Sequence, residues 1–147
     1  MRATLLALRY LLAVFFAGAA VNKWKQGYIT TDYLRGVFLQ RIEEIDPESF
    51  GAWFIENVGI PHYVPLAWLV CWGETLIALG LLLGCITRGA AAGAMAMMLA
   101  FAIGGYYDAS LIVLALMFLP LVVWPTGRWH GLDKRLHTRY PQSIFFG

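Results

Sequence analysis

Glu74 is the one charged residue between Glu56 and Arg88, inside the apolar run "LVCWGETLIALGLLLG" from Leu69 to Gly84. A carboxylate in such a run can fasten one helix to another through a hydrogen bond, or it can handle a proton or orient a ligand. Helical projection puts Ala67, Cys71, Glu74, Ala78, Leu81 and Cys85 on one stripe, beside a ridge of Gly73, Gly80 and Gly84. Glu74 is therefore expected to face a neighbouring helix rather than lipid. Its partner is open among Lys23, Arg9 and the hydroxyls of Tyr106 and Tyr107. Side chains lean towards the N-terminus of their helix. That lean stretches a pair with Arg9 and favours Lys23 reaching down.

Other chemistry is narrowed by the residues on offer. The histidines, His62, His130 and His137, sit at span edges or in the tail, so no two can hold a haem within a membrane. Two cysteines alone make neither an iron–sulfur cluster nor a four-cysteine zinc site. Cys71 and Cys85 lie about 21 Å apart on one helix and cannot bridge each other. No phosphate-binding glycine loop or Ser-His-Asp set is present. No metal or covalent cofactor is expected. Redox chemistry would need a diffusible lipid carrier such as quinone, or a cofactor on a partner subunit. A neutral, titratable acid beside Trp68 and Trp72 is what a quinone headgroup could use, because desolvation disfavours the charged form.

The elements that would position these residues are membrane helices. The chain is 60% hydrophobic and 14% charged, a balance that a soluble domain of 147 residues cannot bury. A helix needs roughly 20 predominantly apolar residues to cross a bilayer core. Spans are expected at about 5–24, 62–85, 89–107 and 109–124. The first is read as a retained helix rather than a signal peptide, because Arg9 interrupts what should be a purely apolar region. Four spans put both termini on one side. That side would carry Arg2, Arg88, Arg128, Lys134, Arg135 and Arg139 against Asp133 alone. The other would carry Lys23, Lys25, Arg35 and Arg41 with seven carboxylates. The positive-inside rule then places both termini, including the tail 125–147, in the cytoplasm of a bacterial inner-membrane protein. The net charge of +2 reflects this topology and gives no sign of nucleic-acid binding.

The external loop, 25–61, is patterned. Tyr33, Leu34, Val37, Phe38, Ile42 and Ile45 recur at helical steps, with Thr31 or Asp32 as cap and Asp46-Pro47 as stop. A second short helix is expected in "PESFGAWFIENVG". These amphipathic helices could lie over the bundle or dock an external partner. Tyr33, Val37, Phe38, Trp53 and Phe54 are the docking candidates. The acidic far face argues against anionic headgroups.

The chain resembles the DoxX family of small four-helix membrane proteins, which is related to the small subunit of thiosulfate:quinone oxidoreductase. "LRYLLAVFFAGAAVNKW" is similar to the family's opening helix. "VGIPHYVPLAWLVCWGETLIALGLLLGCITRGAAAG" resembles its central signature, with a Gly-x-Pro entry, an intramembrane Glu and a Thr-Arg turn. "PTGRWHGLDKRL" resembles its closing segment, with Pro125-Thr126 where glycine-proline is common. The third helix departs from the pattern, carrying Met95, Met97, Met98 and Phe101 where many members have a histidine. The loop looks longer than in many relatives, an adaptation expected of a particular partner.

Together these features predict an all-α, single-domain, integral membrane four-helix bundle. The resemblance implies a small subunit of a redox-linked, quinone-associated complex that oxidises sulfur or thiol compounds. A pocket of Glu74, Cys71, Trp68 and Trp72 would be tuned by Lys23 and Arg9. Its partners would be membrane lipid and other membrane or periplasmic subunits. A non-catalytic accessory subunit is the main rival, and a proton or solute path through Glu74 the lesser one.

Overall fold

The computed structural model describes residues 1–106 and 108–143. Tyr107, one of the hydroxyls considered for Glu74 and the expected end of the third span, lies outside the described residues. Every regular element among the described residues is a helix.

Four apolar helices build the bundle: α1 (Arg2–Lys25), α4 (Tyr63–Leu83), α5 (Thr87–Ile103) and α6 (Ala109–Val123). Between α1 and α4 run α2 (Tyr33–Glu44) and α3 (Phe50–Phe54), the latter continuing into a π-helical turn, Ile55–Gly59. Short helices α7 (Thr126–Trp129) and α8 (Asp133–Arg139) follow α6. The bundle thus has a loop end, carrying α2 and α3, and a tail end, carrying α7 and α8.

α1 and α4 are long and apolar enough to cross a membrane, at 24 and 21 residues. α5 and α6 are apolar but shorter, at 17 and 15 residues. The expected third span ran to residue 107, whereas α5 stops at Ile103. Gly104-Gly105 ends it, with Gly105 at φ +83, a backbone state that costs an L side chain far more than glycine. α6 begins on a proper cap, the Asp108 carboxylate accepting from the Leu111 N–H at 3.0 Å.

In packing, α1 lies chiefly on α4, α4 on α5, and α5 on α6. The shared core joins Leu12 and Phe16 to Ala78, Leu81, Ala94 and Phe118. Phe16 and Phe118 meet edge to face at 5.3 Å. Outside this core, Leu11, Val14, Leu69, Leu76, Leu99 and Leu116 are exposed. A girdle of that kind suits hydrocarbon rather than water. A smaller second core sits under α2, where Leu34, Phe38, Ile55 and Ala67 close on one another.

The tail end is clasped. The Leu132 and Asp133 N–H groups donate to the Leu83 and Gly84 carbonyls at 3.1 and 2.8 Å. Asp133 in turn caps the start of α5. Its carboxylate accepts from the Ile86 N–H (2.6 Å), the Thr87 N–H (3.0 Å) and the Thr87 hydroxyl (2.8 Å). Glycine is required at this crossing. A Cβ on Gly131 would stand 2.6 Å from the Gly84 Cα, and one on Gly127 would stand 2.1 Å from an Asp133 oxygen. The "PTGRWHGLD" segment is thereby explained as the strap that ties α4, α5 and α6 together.

Candidate functional site

The antiparallel α1–α4 seam brings Lys23 to Glu74. Lys23 Nζ donates to Glu74 Oε1 at 2.7 Å, with side-chain exposures of 18% and 4%. Of the partners left open by the sequence, Lys23 is the one that meets Glu74 among the described residues. Glu74 leans up towards the loop end, and Lys23, near the end of α1, reaches down. The other carboxylate oxygen, Oε2, is buried with no hydrogen-bond partner among the described residues. Beside the pair, Trp24 Nε1 donates to the Thr75 hydroxyl (3.2 Å), which donates to the Cys71 carbonyl (2.7 Å).

Other expected members of the site are placed elsewhere. Arg9 is fully buried at the tail end, where Nη1 donates to the Thr126 carbonyl at 2.8 Å and the guanidinium lies 4.6 Å from the Tyr10 ring centroid. It belongs to the clasp and does not meet Glu74. Trp68 and Trp72 are exposed on the outward face of α4, Trp72 meeting Trp24 edge-on at 5.5 Å. Cys71 is fully buried in the α4 interior.

What lies next to Lys23 is a groove. A cavity of about 940 Å³ runs between α4 and α5 from the loop end to the level of Cys85 and Ile86. Its walls combine small residues, Gly73 and Gly80 on α4 and Gly89, Gly93, Ala96 and Ala100 on α5, with larger ones such as Leu76, Ile77 and Met97. Leu34, Val37 and Phe38 of α2, with Phe54, form its roof. Its polar and charged lining residues are Lys23, Tyr28, Tyr106 and Asp108, which gather at the roofed end. The Tyr106 hydroxyl donates to the Val37 carbonyl at 3.4 Å. Tyr28 has no hydrogen bond from its hydroxyl among the described residues. Burial pushes the Tyr28 phenol up to about 12, with the charges of Tyr33, Tyr106, Glu74 and Cys71 adding to it, so it stays a protonated donor.

The loop residues expected to dock a partner divide. Phe38 is buried against Gly59, and Val37 and Phe54 line the groove roof. The apolar face of α2 thus closes on its own bundle first. Tyr33 is partly exposed and packs on Tyr28 at 5.0 Å between ring centroids. Trp53 remains exposed, stacked on Phe50.

Tyr28 was not singled out from the sequence, and Gly73 and Gly80 of the groove wall were read as a ridge beside Glu74 rather than as a groove. Tyr28 lies in a turn with no periodicity to mark it. The wall did leave a signal: Gly89, Gly93, Ala96, Ala100 and Gly104 recur at three- and four-residue steps. Small residues on one helix face serve close helix packing or leave a groove. Here most of them leave a groove.

Comparison with known proteins finds a match to the family model described as DoxX, over residues 4–106. No curated protein and no solved structure matches the chain.

Proposed function

The chain belongs to the DoxX family, and from that premise we propose that it is a small integral membrane subunit of a redox-linked, quinone-associated complex. The observation that carries this reading is the groove of about 940 Å³ with its polar groups gathered at one end. An isoprenoid quinone has a flat head with two carbonyl acceptors and a long apolar tail. The Lys23 ammonium and the protonated Tyr28 hydroxyl are donors suited to such oxygens. The glycine and alanine walls leave room for the tail, and Glu74 holds Lys23 Nζ in place by its 2.7 Å bond. When bound, the quinone would supply two-electron, two-proton carrier chemistry, with electrons exchanged through a partner subunit. The α2 roof would keep water from the head.

In this reading one domain crosses a bacterial inner membrane four times, with the loop end outside and both termini in the cytoplasm. The charge asymmetry supports that orientation. α5 and α6, about 26 and 23 Å long, fall short of a hydrocarbon core of about 30 Å, a mismatch met by local thinning of the bilayer.

The test is lipid extraction from the complex purified out of its native membrane. Gly93→Leu is placed in the groove wall, where the nearest atom to a new Cβ is 3.9 Å away, and unchanged circular dichroism checks that the variant folds. Near-stoichiometric quinone, lost in Gly93→Leu and reduced in Tyr28→Phe, supports the reading. Unchanged quinone content, with assembly lost on trimming residues 30–58, favours an accessory subunit held by its loop.

A further inference from the structure

The loop end carries a feature that the groove does not use. Phe50 and Trp53 stack at 5.5 Å between centroids with 24° between planes, yet they are 64% and 52% exposed. They are held rigidly. The Ser49 hydroxyl caps α3 by accepting from the Ala52 N–H at 3.2 Å, and Asn57 Nδ2 donates to the Trp53 carbonyl at 2.8 Å. Gly51 packs so closely on Gly105 that an added Cβ would stand 3.0 Å from its Cα, and Ala52 and Ile55 are buried. Two large rings on a fixed platform lose little entropy when covered, the condition for a binding hot spot.

The charge around the pair says what covers it. Residues 26–61 hold six carboxylates against two arginines. One of those arginines, Arg41, is engaged by Glu44 and the Gly105 carbonyl. Glu48 and Glu56, two and three residues from the pair, are exposed and make no ion pair among the described residues. Anionic headgroups are repelled by this rim. A guanidinium, by contrast, lies flat on an aromatic face while its edge donates to a carboxylate, which an ammonium cannot do as well.

We propose that the Phe50–Trp53 stack, rimmed by Glu48 and Glu56, is a docking surface for an arginine-bearing basic face of a partner protein. The preference for arginine over lysine is the signature that separates it from general attraction to acid.

The experiment uses the full chain in nanodiscs of zwitterionic phosphatidylcholine, with fluorescein-labelled octa-arginine and octa-lysine as probes read by anisotropy. Octa-arginine should bind about fivefold more tightly than octa-lysine. Phe50→Ala/Trp53→Ala should erase that difference, Trp53→Phe should keep it, and Glu48→Gln/Glu56→Gln should weaken both peptides. Both rings are exposed, and unchanged circular dichroism verifies that the variants fold. Equal affinities that ignore the aromatic variants would overturn the proposal. So would quenching of Trp53 by brominated phosphatidylcholine, read as the difference between wild type and Trp53→Phe, because it would put the stack in the bilayer.

Discussion

Removing either partner of the Lys23–Glu74 pair should not cost the same. Lys23→Met leaves a carboxylate that is 3% exposed, with one oxygen already without a partner among the described residues and the other newly so. Stranding a buried charge in this way costs about 3–5 kcal/mol. Glu74→Gln instead strands an ammonium on a four-carbon stem, 18% exposed and near the end of α1. That head can turn towards water, so the loss should be only about 1–2 kcal/mol. The double variant Lys23→Met/Glu74→Gln leaves neither charge behind and should be closer to wild type than Lys23→Met alone. The coupling should reach at least about 2 kcal/mol. Interhelical hydrogen bonds inside membrane proteins average about 0.6 and reach about 1.7 kcal/mol, so the expected value stands apart from an ordinary staple. Reversible unfolding followed by tryptophan fluorescence measures all four corners of the cycle. Additive losses, with coupling below about 0.5 kcal/mol, would refute the reasoning, as would a larger loss in Glu74→Gln than in Lys23→Met.

Gly127→Ala drives a methyl to 2.1 Å from Asp133 and 2.2 Å from the Thr87 hydroxyl, and should lower stability by about 2 kcal/mol or more in thermal unfolding. Gly18→Ala, with nothing within 4 Å, should be neutral or stabilise by about 0.5–1 kcal/mol. Asp133→Ala removes three hydrogen bonds from the start of α5 and should cost at least about 3 kcal/mol, with early amide exchange at Ile86 and Thr87. The raised Tyr28 phenol gives a pH signature: its contribution is complete below pH 10 and is lost as pH rises through about 12. Ultraviolet titration should show one tyrosine ionising near 12 that disappears in Tyr28→Phe.

Much of the bundle was legible because membrane helices advertise themselves by length and by the absence of charge. α1 and α4 follow that rule, whereas α6 shows the absence of charge but not the length, at 15 residues. α5 ends earlier than its neutral run, since Gly104-Gly105 carries no charge yet stops a helix by backbone geometry. The Lys23–Glu74 pair was among the readable options because side-chain lean is a property of the helix itself. Arg9 was harder, as its partner is a carbonyl 117 positions away on a segment with no periodic pattern. The clasp and the groove are likewise products of contacts between distant segments. Phe38 shows the ambiguity of an amphipathic face: the apolar stripe is real, but only the fold reveals that it covers its own bundle.

The most direct test of the groove is photolabelling with an azidoquinone in native membranes, the adducts being mapped by mass spectrometry. Labels should fall on the groove faces of α4 and α5, between Gly73 and Gly80 and between Gly89 and Ala100, and near Tyr28, with loss in Gly93→Leu. Labels spread over the outer faces of α1 and α6, unaffected by Gly93→Leu, would contradict the account.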